Sequence, residues 1–76
     1  MIDPALFARY RCRIEPCIAQ ASANGGRFTL RAHEDGAEVF AEPQGADGIV
    51  WGVNDPKTGN PLLRGRRQVD GSDGEI

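Results

Sequence analysis

Seven apolar side chains near the N-terminus recur at helical spacing, and they restrict the fold more than any other feature of this chain. At about 100° per residue, Leu6, Phe7, Tyr10, Ile14, Cys17, Ile18 and Ala21 fall within an arc of roughly 120°. Arg9, Arg13, Glu15, Gln20 and Ser22 lie outside it. Asp3-Pro4 starts such a helix, with a side chain able to cap free N–H groups and then a proline whose missing N–H is not needed there. Asn24-Gly25-Gly26 stops it, because these residues tolerate the left-handed conformation of helix ends. Pro16 falls mid-pattern on the polar side, where it deletes one backbone hydrogen bond and disfavours helical geometry at Glu15. The expectation is two helical pieces, residues 4–14 and 16–23, meeting at a kink. Alternation from Arg9 to Ile14 also fits a strand, but it explains only six residues.

Beyond the helix the period changes to two. Arg27–Glu34 and Ala37–Glu42 flank Asp35-Gly36, a dipeptide suited to a tight hairpin turn. A two-residue loop there pairs Ala32 with Val39 and Leu30 with Ala41 on an apolar face. It places Arg31 opposite Phe40 and His33 opposite Glu38 on a wet one. Ile49, Trp51 and Val53 alternate as a third strand, and Leu62–Arg64 offers a short edge strand after the turn-rich Asn54–Pro61. The fold class is therefore α+β: a kinked amphipathic helix packed on a three- or four-stranded antiparallel meander. Residues 1–67 make one domain, and 68–76 read as an acidic, glycine-rich, flexible tail.

Size limits function. A chain of 76 residues buries only about 60% of its unfolded surface and has little room for an enclosed cleft. No run of apolar residues is long enough to span a membrane. The opening Met-Ile-Asp-Pro lacks the basic and apolar regions of a secretory signal, so a cytoplasmic location with free thiols is expected. The net charge is −2, unevenly spread. Residues 1–31 hold five arginines against Asp3 and Glu15, whereas residues 32–63 hold six acids against Lys57.

The usual chemistries find little to work with. Cys12 and Cys17 lie about 140° apart on a helix, so they cannot share a metal with His33, and their spacing is not that of a zinc site. His33 is the sole histidine, and the serines at 22 and 72 sit in a helix end and a tail, poor places for a nucleophile. Gly45, Gly48 and Gly52 form no phosphate-cradling loop. No catalytic residue, metal or cofactor is expected.

The remaining candidates are surfaces. Glu34, Asp35, Glu38, Glu42 and Asp47, with Asp55, could form an acidic face that attracts Arg and Lys on a partner. Arg9, Arg13 and Arg31 flank it. Phe40, beside Arg31, is either an exposed contact residue or one shielded under the C-terminal segment. If Arg27, Arg64, Arg66 and Arg67 converged with the others they would make a phosphate track. Against that, Arg11 points away, where it can pair with Glu15. In size, acidity and lack of motifs the chain resembles small accessory proteins of phages and mobile elements, anti-CRISPR inhibitors included; no motif carries that likeness further. The expected function is a non-catalytic protein-binding or inhibitor protein acting on a larger host protein or complex. The alternatives are a phage assembly subunit, for which self-association or a homodimer would speak, and a small nucleic-acid-binding regulator.

Overall fold

The capped N-terminal pattern forms one uninterrupted helix, α1 (Pro4–Asn24), in a computed structural model that describes residues 3–45 and 48–74. Asp3 caps it: Oδ1 accepts from Ala5 N at 2.9 Å and from Leu6 N at 3.4 Å. Gly25, at φ 68°, ends it by donating to Ala21 O. The two expected helical pieces are thus a single element. Pro16 and Cys12 are both exposed, so the Cys12 carbonyl that loses its partner to proline lies where water can satisfy it.

Tyr10, Ile14, Cys17, Ile18 and Ala21 are the buried residues of α1, with Leu6 and Phe7 half-buried against the same core. All seven residues of the arc face inward. Removing side chains such as Ile14 and Ile18 from water stabilises the fold by about 1.5–3 kcal/mol each.

The helix lies on one face of a five-stranded sheet ordered β1 (Phe28–Arg31), β2 (Glu38–Pro43), β3 (Gly48–Asn54), β4 (Pro61–Gln68) and β5 (Asp73–Gly74). Every neighbouring pair is antiparallel. The α+β class holds, with more strand than the sequence suggests. Phe28, Leu30, Val39, Ala41, Trp51, Val53 and Leu63 meet the helix, and Trp51 is fully buried with Phe7 at 5.4 Å between ring centroids.

Two expectations need correction. The first hairpin has a four-residue loop, His33–Gly36, closed by Ala32 N donating to Ala37 O at 2.8 Å. Leu30 consequently pairs with Val39, Phe28 with Ala41, Thr29 with Phe40 and Arg31 with Glu38. The register moves by two residues, so each side chain keeps its face although its partner changes. The cause is Asp35, whose Oδ1 accepts from Ala37 N at 2.9 Å while Oδ2 holds the helix, drawing it into a wider loop. Gly36, at φ 79°, supplies the left-handed residue that loop requires.

The second correction concerns the C-terminal third. The chain expected to be a short edge strand and then a tail forms the eight-residue β4, an interior strand, and Asp73-Gly74 folds back beside Arg66 and Arg67. Polar residues dominate β4 because one of its faces is wet. On the other, Gly65 takes the place of an apolar side chain and admits the Trp51 ring.

Candidate interaction surface

Since the helix covers one face of the sheet, alternation along each strand turns a second set of residues outward. Arg27, Thr29 and Arg31 stand along β1 and the residue before it. Glu38, Phe40 and Glu42 stand on β2, Val50, Gly52 and Asn54 on β3, and Arg64 and Arg66 on β4. The arginines flank this face and the acids lie on the strand between.

Phe40 organises its centre. It pairs with Gly52 across β2 and β3, and a Cβ on Gly52 would sit 2.7 Å from the Phe40 ring and 2.5 Å from Arg64 Nη1. The missing side chain leaves a gutter across β3 through which Arg64 reaches the ring. The guanidinium carbons of Arg27 and Arg64 stand 4.6 Å and 4.7 Å from its centroid, within cation–π range. Phe40 is only 7% exposed. The exposed aromatic is not found; the ring is shielded, and guanidinium groups are what the surface presents.

Arg64 is also fixed by hydrogen bonds. It donates from Nη1 to Leu63 O at 2.9 Å and from Nη2 to Asn54 Oδ1 at 2.8 Å, and Asn54 Nδ2 donates to Glu38 Oε1 at 3.0 Å. Burial holds the Arg64 pKa below its ordinary value, the nearby Arg27 charge adds to that, and Glu38 opposes it. Arg31 donates to Gly36 O at 2.7 Å. Arg66 Nε is buried with no hydrogen-bond partner among the described residues. Within that same set neither Arg27 nor Arg64 is ion-paired with a carboxylate.

Several other charges are paired within the fold. Arg9 and the Tyr10 hydroxyl both donate to Asp35, Arg9 at 3.3 Å, and Arg13 donates to Glu34 at 3.0 Å. Hydrogen bonds from Tyr10 and from Ala37 N hold the Asp35 carboxyl below its ordinary value, as a backbone hydrogen bond and Arg13 do for Glu34. Arg67 turns to the helix side. It forks onto both oxygens of Glu15, at 3.0 Å and 2.7 Å, and reaches Asp73 at 2.6 Å. Glu15 therefore pairs with Arg67 and not with Arg11. Asp73 also accepts from Trp51 Nε1 at 3.3 Å, joining helix, sheet and C-terminal strand.

The nine candidate residues thus separate into two groups and one remainder. Glu34, Asp35, Arg9 and Arg13 face one another across the seam between helix and hairpin. Arg31, Glu38, Phe40 and Glu42 share the open face, while Asp47 lies outside the described residues. His33 sits in the exposed hairpin loop, not opposite Glu38. Cys17 is buried and donates to Phe28 O at 3.2 Å, while Cys12 is exposed. Among the described residues no three His, Cys, Asp or Glu side chains come together in a metal-holding group. No described helix is long and apolar enough to cross a membrane.

The pair of Arg27 and Arg64 over Phe40 was not singled out as a site from the sequence. Alternation in Arg64-Gly65-Arg66-Arg67 was the signal available, but it becomes readable only once that segment is known to be a strand. An open cleft of about 450 Å³ lies at the far end of α1, lined in part by Ile18, Pro43, Ile49 and Val69. Arg67, the one charged lining residue among those described, is already held by Glu15 and Asp73. No protein-family model, curated protein or solved structure matches the chain.

Proposed function

We propose that this chain is a small, non-catalytic binding protein, an inhibitor or adaptor, that engages another protein through the uncovered face of its sheet. The observation that carries this reading is the Arg27–Phe40–Arg64 arrangement, two cations gathered on one ring and left without a carboxylate among the described residues. Arg9 and Arg13 are answered by Asp35 and Glu34 across the seam of helix and hairpin, and Arg67 by Glu15 and Asp73. The open face gathers Arg27, Arg31, Arg64 and Arg66 with no ion pair among the described residues, a grouping of charge that suits a partner. Its size and acidity suit an accessory protein of a phage or mobile element acting on a larger host protein in the cytoplasm.

A nucleic-acid-binding regulator would use the same arginines. Two features weigh against it. Glu38 and Glu42 lie among those arginines and would repel a phosphate backbone. The Phe40 ring has guanidinium groups against it and offers no platform for base stacking.

The test is affinity purification of the full chain from its source cell alongside two variants. Thr29→Glu places a carboxylate on the open face, opposite Phe40; Arg11→Glu reverses a charge on the exposed side of the helix. A stoichiometric protein partner lost with Thr29→Glu and retained with Arg11→Glu supports the reading. Recovery of no stoichiometric partner, or retention by both variants, rejects it.

A further inference from the structure

Building on the reading of the open face as a protein-binding surface, we infer that its ligand is an acidic stretch of the partner, two of whose closely spaced carboxylates seat on the guanidiniums of Arg27 and Arg64.

Three observations define this chemistry. The first is charge. The open face carries Arg27, Arg31, Arg64 and Arg66 against Glu38 and Glu42, an excess of cations on a chain whose net charge is −2. The excess is therefore local, and it lies where neither Arg27 nor Arg64 is neutralised within the described residues.

The second is free donor capacity. A guanidinium has five N–H donors in a fixed fork that matches a carboxylate. Arg64 directs one nitrogen to Leu63 O and another to Asn54 Oδ1, which fixes its plane and leaves other donors open. Arg27 has no hydrogen-bond acceptor among the described residues. One cation is thus pre-positioned and the other can adjust to what arrives, an arrangement that lowers the ordering cost of binding.

The third is spacing. Both guanidinium carbons lie within 4.7 Å of one ring centre, which keeps the two charges within about 9 Å of each other. Side chains on the same side of an extended strand recur every two residues, about 6.6–7 Å apart. Two Asp or Glu carboxylates can therefore reach both guanidiniums from alternate residues of an extended segment, or from positions three or four apart on a helix, about 5–6 Å between Cβ atoms. An anion here also relieves the repulsion between Arg27 and Arg64, which stand over one ring with no carboxylate paired to either among the described residues. Glu38 and Glu42 add selection by disfavouring a continuous polyanion, which could not avoid them.

The probe is a capped ten-residue peptide of alternating glutamate and serine, titrated into the ¹⁵N-labelled protein at fixed ionic strength, with a thymidine decanucleotide in parallel. The readout is the side-chain Nε–Hε signals of the arginines with the backbone amides of Thr29 and Gly52. Saturable peptide shifts at Arg27 and Arg64 are expected, with affinity about tenfold lower in Arg27→Gln and in Thr29→Glu, as loss or blocking of a charge-assisted contact implies. Arg11→Gln should bind as the parent does. Amide dispersion and the Trp51 indole signal of each variant verify the fold, and Thr29→Glu alters an exposed position, so a failure of Arg27→Gln to fold leaves the test intact. No saturable shift, equal affinity in the folded variants, or tighter decanucleotide binding at the same arginines overturns the inference. If the peptide fails while the source-cell partner is still lost with Thr29→Glu, only the acidic-ligand chemistry is wrong. If no partner is recovered, the protein-binding reading itself fails.

Discussion

The indole of Trp51 occupies the space that a side chain at Gly65 would need. The two residues pair directly across β3 and β4, and a Cβ on Gly65 would lie 2.4 Å from Cζ2 of Trp51. On the opposite face Phe40 stands in the same relation to Gly52. Each large ring closes over a cross-strand glycine, one sealing the core and the other laying a platform for Arg27 and Arg64. Both strand glycines therefore have packing reasons to be glycine.

Gly65→Ala should destabilise the protein by about 1–3 kcal/mol, because Trp51 is wholly buried and cannot swing aside without disturbing Phe7. Urea unfolding followed by Trp51 fluorescence reads this as a lower midpoint at unchanged slope. An unchanged midpoint would show that the ring has room the geometry denies.

Tyr10→Phe deletes the hydroxyl that ties α1 to the Asp35 loop and leaves the aromatic packing intact. The melting temperature should fall by about 5 °C. Amide exchange should quicken at Gly36 and Ala37, where the loop depends on Asp35, more than at β3 and β4. A uniform effect across the sheet would mean that the bond does not position this loop.

Stability should decline in acid through the carboxylates held by partners. Glu15 is held below its ordinary value of 4.5, first by the Arg67 hydrogen bond, and Asp35 below its ordinary 3.8, first by Tyr10. A carboxyl whose folded pKa is depressed contributes fully above its unfolded value and loses that contribution as pH falls through the folded one. The melting temperature should thus be level above about pH 5.5 and decline below about pH 4.5. Glu15→Gln should start lower at neutral pH and decline less steeply in acid. Parallel profiles for variant and parent would remove the Glu15–Arg67 pair from the account.

The two thiols should differ sharply. Burial pushes the Cys17 thiol up to about 11, and the residue has no exposed surface, whereas Cys12 lies open on the helix. A maleimide or disulfide reagent at pH 8 should modify one thiol in the native protein and two in denaturant. Because the folded pKa of Cys17 is raised, its contribution to stability is complete below the unfolded value near 9 and is lost as pH rises through 11. Rapid native labelling of Cys17 would show that the helix lifts readily from the sheet.

The candidate surface was only partly legible in the residues. Phe40, Glu38, Glu42 and Arg31 could be assigned to one face from alternation alone, and a two-residue error in register left that assignment intact. Arg9, Arg13, Glu34 and Asp35 read equally well as a surface for a partner. That they answer each other depends on where α1 crosses the hairpin, which no local pattern encodes.

By itself the sequence determined what short-range rules govern: the capped helix from Pro4 with its inward arc, the alternating strands around Val39 and Trp51, and the α+β class. These follow from periodicity and capping, which act over a few residues. Only the tertiary structure decided the wide Asp35 loop, the length of β4, the return of Asp73 and the meeting of Arg27 with Arg64 on Phe40. Each of these depends on groups far apart in the chain, such as Tyr10 with Asp35, Glu15 with Arg67 and Trp51 with Gly65. Their contact energies arise only after the helix has docked and therefore leave no trace in local sequence preference.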